Sequence, residues 1–164
     1  ISGDPNASWD ADFARSEISS LSCQIDLLEQ PVEGVNGVRN LRTAELSLAL
    51  DEAATNHAAL ESPAPADAIC IKVQAFGGID MAVDAAAKAR AAGMQVLMGS
   101  TLEGAVGMAA SLVAAQLIQP DLASGLSTLD LFDDSFPALK LDPANAVAPI
   151  GLGLGTDPDG MPTD

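Results

Sequence analysis

The chain has 164 residues and a formal net charge of −16, from 23 acidic residues against 7 lysines and arginines. Phosphate binding requires a basic face, so this charge argues against nucleic acid and against anionic membrane surfaces as partners. Hydrophobic residues make up 48% of the chain, enough for one sizeable core. No apolar run reaches about 18 residues, so no membrane span is expected. A globular chain this acidic is typical of proteins from salt-loving organisms, and a halophilic cytoplasm is our hypothesis.

Short apolar runs alternate with helical stretches along the chain. Because strands that alternate with helices form parallel βα units, the pattern predicts an α/β fold with parallel strands and outer helices. We expect a barrel domain over residues 1–132 and an irregular tail over 133–164, where Pro, Gly and Asp are frequent. The predicted helices are 11–22, 35–44, 53–62, 79–93 and 102–118, and the predicted strands are 25–31, 46–53, 68–73 and 95–100.

Charged residues recur in phase with the predicted strands. Asp4, Glu29, Asp51 and Lys72 are separated by 25, 22 and 21 residues, about the length of one strand, helix and two loops. Each lies at the carboxyl end of its predicted strand, and these ends meet on one face of a parallel βα array. Converging carboxylates repel one another, and a divalent cation relieves that repulsion. Oxygen ligands of this kind favour Mg²⁺.

Lys72 is one of only three lysines in the chain, and it directly follows the apolar run "AICI" (68–71). An ammonium group in such a place costs free energy unless it is paired or functional. A lysine that extends to water from a strand end would account for the pattern without any chemistry. For each acidic residue taken alone, exposure to solvent or helix capping is equally an alternative.

The cysteines and the segment "STLE" have simple structural interpretations. Cys23 and Cys70 lie in or beside predicted core strands, so we expect two buried, reduced thiols. Ser100 and Glu103 fit a capping box at a helix start, where backbone amides also favour an anion. The only histidine, His57, is expected at the surface.

Five motifs, in order, resemble the barrel of the enolase superfamily, muconate-lactonizing subgroup. The family has D-x-N-x-x-W on its third strand, E-Q-P on its fourth, D-E on its fifth, K-x-x-x-x-G-G on its sixth and a Glu-Gly segment after its seventh. The corresponding segments are "DPNASW" (4–9), "LLEQP" (27–31), "ALDEA" (49–53), "KVQAFGG" (72–78) and "GSTLEGAVG" (99–107). The resemblance implies a partial (β/α) barrel, approximately strands three to eight of a TIM-like barrel.

The resemblance also implies a site and a chemistry. The family removes a proton α to a carboxylate and holds the resulting enediolate with Mg²⁺. The implied substrate is therefore a small-molecule carboxylate. The implied roles are metal ligation by Asp4, Glu29 and Asp51, acid–base or cationic catalysis by Lys72, substrate binding by Ser100, Thr101 and Glu103, and support of the ligands by Asn6 and Glu52.

The family's K-x-K motif and amino-terminal capping domain have no counterpart in this sequence. We therefore expect the missing amino-terminal part of the barrel and the capping domain as partners, and a homo-oligomer is also compatible. Within the subgroup, the Ala-rich helix after "GSTLEG" and the stretch 121–132 most resemble o-succinylbenzoate synthases. A muconate cycloisomerase, a dipeptide or N-acylamino acid racemase-epimerase, and a non-catalytic barrel fragment remain alternatives.

Overall fold

The computed structural model describes residues 1–126 and 128. In that part of the chain the strands are β1 (Ser2–Gly3), β2 (Leu27–Glu29), β3 (Ser47–Leu50), β4 (Ala68–Ile71) and β5 (Gln95–Met98). The helices are α1 (Ala11–Leu21), α2 (Gly34–Leu41), α3 (Val73–Phe76), α4 (Ile79–Ala92) and α5 (Ala105–Ile118), with a short 3₁₀ helix at His57–Leu60. None of these helices is long and apolar enough to cross a membrane.

The strands form one sheet in the order β1-β2-β3-β4-β5, so sequence neighbours are also neighbours in the sheet. The pairs β1/β2, β2/β3 and β3/β4 are parallel. Parallel strands require crossover connections, which the helices between them provide. The predicted α/β class is confirmed, and a sixth strand position is represented by an isolated parallel bridge between Gly99 and Gly125.

The chain divides into two compact units. Unit 1 comprises Ile1–Cys70 and Ala87–Val96, and unit 2 comprises Ile71–Ala86 and the described residues from Leu97 onward. In unit 1 the core is formed by apolar strand residues and by the inner faces of α1 and α2. Ala14 and Ile18 of α1 are buried, as are Val35, Val38 and Leu41 of α2, at the spacing of one helix face.

Local sequence signals explain where the first and fourth helices begin or end. Asp10 caps α1 by accepting hydrogen bonds from the backbone N–H groups of Asp12 and Phe13, at 3.0 and 2.9 Å. Gly93 follows α4 with φ of 98°, a left-handed conformation that glycine adopts without steric cost. Both helices lie close to their predicted bounds.

Three local predictions are corrected by the structure. The helix predicted over 53–62 is only the 3₁₀ turn His57–Leu60, because Asn56 caps it late and Pro63 follows soon after. The strand predicted over 68–73 ends at Ile71, and the chain turns at once into α3. The helix predicted over 102–118 begins only at Ala105, and Val106 and Leu117 on it are exposed.

The thiol prediction is half right. Cys70 is buried in β4 as expected, but Cys23 is exposed. Cys23 lies in the turn that follows α1, where its Sγ donates to the carbonyl oxygen of Ser20, and it is therefore not part of a core strand. The tail predicted over 133–164 lies outside the described residues.

Candidate functional site

Two of the predicted metal ligands lie together in unit 1. Ligand atoms of Glu29, Asp51 and Cys70 all lie within 4.8 Å of one another. Glu29 ends β2, Asp51 follows β3 and Cys70 is within β4, so three neighbouring strands each contribute one side chain. Asp51 and Cys70 are 7% and 2% exposed, while Glu29 is half-buried. Carboxylates this close repel each other unless a cation or proton intervenes.

Strand register explains the convergence. Glu29 pairs with Ala49, so Asp51 lies two residues further along β3 on the same face of the sheet. Leu50 pairs with Ile69, so Asp51 and Cys70 are the next residues along their two strands. The sequence spacing of 22 residues between Glu29 and Asp51 therefore produces a diagonal step across the sheet.

The sequence did not predict that Cys70 would lie beside Glu29 and Asp51. The available signal was its position two residues before Lys72, on the same face of an extended strand. Its proximity depends on the β3/β4 register, which the sequence did not reveal. The donor set fits Mg²⁺ through the two carboxylates, since hard cations prefer oxygen, while a thiol is a soft ligand.

Asp4 is exposed and is not a member of this group within the described residues. Its Oδ1 accepts a hydrogen bond from the backbone N–H of Asn6 at 2.9 Å, and Asn6 Nδ2 donates to the carbonyl oxygen of Asp4 at 3.2 Å. Gly3 pairs with Leu28, so Asp4 and Glu29 are the next residues along β1 and β2. Asp4 thus stays a predicted ligand, and Asn6 shapes the turn that carries it.

Three other polar residues, Glu52, His57 and Lys72, are exposed or half-buried. Glu52 is exposed beside Asp51. His57 is a surface residue, as predicted, with its ring 3.6 Å from the Glu61 carboxylate. Lys72 belongs to unit 2, is half-buried and occupies the position just before α3, with extended backbone angles.

In unit 2, Glu103 is the centre of a buried hydrogen-bond network. Glu103 is only 5% exposed to solvent. Its Oε2 accepts from the hydroxyl of Ser100 at 2.8 Å and from the backbone N–H of Thr101, while its Oε1 accepts from the hydroxyl of Ser111 at 2.8 Å. The Thr101 hydroxyl lies 3.0 Å from Glu103 Oε2 and 3.1 Å from Gln74 Oε1, so it can donate to either.

This network determines the ionisation of Glu103. Burial opposes ionisation and raises the pKa of Glu103, but hydrogen bonds from its own backbone N–H, from the Ser100 and Ser111 hydroxyls and from the Thr101 backbone outweigh it. The pKa of Glu103 is therefore below its ordinary value of 4.5. The predicted capping box is wrong, because α5 begins after Gly104 and has no side-chain cap. Glu103 instead orders the loop that precedes the helix.

Gly107 makes room for Glu103. A Cβ atom at Gly107 would lie 2.6 Å from Cβ and 2.8 Å from Cγ of Glu103, and 2.9 Å from Nε2 of Gln74. Such distances are too short for real contacts, so only glycine allows the carboxylate to enter this position. The second glycine of "EGAVG" thus has a packing reason that its sequence position alone did not reveal.

The fold and the grouped side chains define a class of protein: a parallel βα protein with acidic residues gathered at the carboxyl ends of its strands. Comparison with known proteins identifies the family. Residues 1–161 match the family described as "Enolase C-terminal domain-like", and the chain belongs to that family. The predicted enolase-superfamily resemblance is confirmed.

Curated relatives include o-succinylbenzoate synthases. The chain is 36% identical to the one from Mycobacterium ulcerans over 171 aligned positions, which cover 95% of this chain and 51% of that protein. It is 31% identical to the one from Thermobifida fusca, covering 90% of this chain and 47% of that protein. The chain therefore spans about half the length of the curated relatives it matches.

Solved structures give the same fold. The muconate lactonizing enzyme from Klebsiella pneumoniae superposes with a TM-score of 0.76 and 29% identity, over 83% of this chain and 40% of that one. The N-succinyl Arg/Lys racemase from Bacillus cereus gives a TM-score of 0.75 and 27% identity, over 85% and 40%. A dipeptide epimerase from Methylococcus capsulatus, complexed with Mg and a dipeptide, gives a TM-score of 0.71 and 26% identity, over 82% and 40%. These proportions agree with the predicted partial barrel.

Proposed function

We propose that this chain is the carboxyl-terminal barrel part of a Mg²⁺-dependent lyase that removes a proton α to a carboxylate and eliminates water. The reaction is that of o-succinylbenzoate synthase, in menaquinone biosynthesis. The observation that carries the proposal is the approach of the Glu29 and Asp51 ligand atoms within 4.8 Å, at neighbouring strand ends of a chain from this family. Identity of 36% to an o-succinylbenzoate synthase favours this activity over others in the superfamily.

The metal would be held by Glu29 and Asp51, with Asp4 as the third carboxylate. When bound, Mg²⁺ supplies positive charge beside the substrate carboxylate, which makes the α proton easier to remove. Exposed Asp4 reaches such a site only if its turn is held in position, and the Asn6 hydrogen bonds supply that restraint. Glu52, exposed and adjacent to Asp51, adds negative charge near the cation.

Lys72 is the proposed catalytic residue. Its ammonium group would stabilise the negative charge that develops when the α proton is removed. The hydroxyl group on the neighbouring carbon would then leave as water, with a proton returned by the residue that removed the α proton. Lys72 directly follows β4 and is the N-cap of α3, so both elements hold its backbone in place. The residue that takes the proton in this elimination is proposed to come from the amino-terminal part of the barrel.

Ser100 and Thr101 are proposed to line the position of the substrate's far carboxylate. The Thr101 hydroxyl is the proposed donor, because the Ser100 hydroxyl and the Thr101 backbone N–H already donate to Glu103. Glu103 supports them: its ionised carboxylate accepts from both residues and so fixes the loop. Both carboxylate oxygens of Glu103 already accept hydrogen bonds from Ser100, Thr101 and Ser111, and these donors stand between Glu103 and the substrate carboxylate. These hydrogen bonds of Glu103 favour a supporting role over direct contact with the substrate.

The experiment that tests the function is complementation. The chain is mixed with a separately produced amino-terminal segment from an o-succinylbenzoate synthase, and formation of o-succinylbenzoate is measured with and without Mg²⁺. Turnover that requires both parts and Mg²⁺ supports the proposal. No turnover with any amino-terminal segment, in mixtures shown by gel filtration to associate, favours a non-catalytic barrel fragment.

A racemase-epimerase is a second candidate, favoured by the similarity to the N-succinyl Arg/Lys racemase and the dipeptide epimerase. In that reaction Lys72 would exchange a proton with the α carbon directly. The same mixture incubated with N-succinyl amino acids or dipeptides in D₂O would then incorporate deuterium at the α carbon. Deuterium incorporation without o-succinylbenzoate formation selects this activity.

A further inference from the structure

Gln30 is a fully buried polar side chain beside the candidate metal ligand Glu29. Its exposure is 0%, and its backbone φ is 30°, in the left-handed region that residues other than glycine rarely adopt. A backbone conformation of this kind persists only where surrounding contacts hold it, and such positions often accompany functional sites. Both features call for a physical reason.

The Gln30 side chain uses its amide to join two strand ends. Its Oε1 accepts hydrogen bonds from the backbone N–H groups of Asp51 at 3.0 Å and Ala53 at 3.2 Å. Its Nε2 donates to the carbonyl oxygen of Val32 at 2.7 Å. The segment that carries Asp51 is therefore fastened to the segment that carries Glu29.

The Gln30 backbone makes two further connections. Its N–H donates to the carbonyl oxygen of Ala49 at 2.9 Å, and its carbonyl oxygen accepts from the N–H of Ala7 at 2.6 Å. Ala7 belongs to the turn that begins with Asp4. One buried residue thus contacts the segments of Asp4, Glu29 and Asp51, the three proposed ligands.

We infer that Gln30 is a positioning residue of the metal centre: its side-chain amide fixes the Asp51 backbone relative to Glu29, so that both carboxylates are ready for one cation. The inference rests on the proposed function, because it requires that these carboxylates bind Mg²⁺. Gln30 itself does not touch the ion. Groups that orient metal ligands typically change metal affinity by 10–100-fold when they are removed.

A purely structural Gln30 would change stability but not the metal affinity of the folded chain. The test therefore measures the Mg²⁺ dissociation constant by calorimetry, well below the melting temperature, and measures folding separately by urea unfolding without metal. Gln30→Met removes the amide at similar size and should weaken Mg²⁺ binding at least tenfold. Val38→Ala is the matched control, since Val38 is 0% exposed in α2 and has no part in the site; it should keep the affinity within twofold.

One further variant keeps the test decisive. Gln30→Asn shortens the amide by one methylene and should also weaken binding about tenfold, and it decides the matter if Gln30→Met does not fold. Amide hydrogen exchange should accelerate at Asp51 and Ala53 in Gln30→Asn, but not at Leu48, which donates to Asp67 instead.

The outcomes separate the two proposals. If the unaltered chain binds no Mg²⁺, the proposed metal centre is wrong and the role of Gln30 is lost with it. If the unaltered chain binds Mg²⁺ and folded Gln30→Asn or Gln30→Met binds it equally well, only the positioning role is overturned. Equal weakening in Val38→Ala would overturn that role as well, because the loss would then follow stability alone.

Discussion

Glu29 and Asp51 bring ligand oxygens within 4.8 Å of each other although 22 residues separate them in the chain. Two carboxylates at this distance, one of them on a residue only 7% exposed, are unfavourable without a compensating charge. The relationship is therefore the physical basis of the proposed metal centre.

Asp51→Asn should abolish most of the thermal stabilisation by Mg²⁺. A ligand at a hundredfold excess over its dissociation constant stabilises a protein by about 2.7 kcal/mol, and that gain disappears when affinity is lost. The measurement is the melting temperature as a function of MgCl₂ concentration. Asp12→Asn is the matched control, because its side chain is 96% exposed on α1. An Mg²⁺ response in Asp51→Asn equal to that of the control would remove Asp51 from the site.

Lys72→Ala should reduce turnover in the complementation mixture by at least a hundredfold, because a positioned acid–base or cationic group contributes about 10²–10⁴ in rate. Its Mg²⁺ affinity should change much less, since Lys72 is not a proposed ligand. Lys88→Ala, at an exposed position of α4, provides the control for loss of a lysine. Turnover that survives in Lys72→Ala would exclude Lys72 from the chemistry.

Glu103 should make stability depend on pH in the acid range. Because its pKa is lower in the folded chain than the ordinary 4.5, its ionised form stabilises the fold above that pH, and the contribution is lost as the pH falls through the folded pKa. We expect the difference in unfolding free energy between the unaltered chain and Glu103→Gln to be constant above about pH 5 and to shrink below it. Urea unfolding from pH 7 to pH 3 measures this difference, and a difference that is the same at every pH would contradict the prediction.

Gly107→Ala should destabilise the chain by about 1–3 kcal/mol, because the new Cβ would meet Glu103 at 2.6 Å and an overpacked core must distort. Gly104→Ala is the control. No atom lies within 4 Å of a Cβ at Gly104, and its φ of −68° suits any residue. Gly104→Ala should lower the free energy of unfolding by less than about 1 kcal/mol. Equal unfolding free energies for the two variants would show that Glu103 moves aside without cost.

The charge of −16 predicts a salt response. Self-repulsion among exposed acids destabilises the compact state, and salt screens it, with a Debye length of about 3 Å at 1 M. The melting temperature should therefore rise between 0.1 and 2 M KCl, by more than it does for a control protein of similar size and near-zero net charge. A melting temperature that does not rise would count against the halophilic hypothesis.

The sequence by itself determined the α/β class, most helix and strand positions, and the family. These follow from short-range patterns: apolar periodicity, Asp10 before α1, Gly93 after α4 and motifs repeated at each strand end. It also indicated that Glu29 and Asp51 would converge, because carboxyl ends of parallel strands share one edge.

Only the tertiary structure decided which side chains touch. The β3/β4 register brings Cys70 to Asp51, and a shift of one residue would have turned it to the other face. The partners of Gln30 and Glu103 are set in the same way, by strand and loop positions that no local pattern encodes. Register and side-chain packing depend on contacts between residues far apart in the chain, and those contacts form only when the whole sheet is assembled.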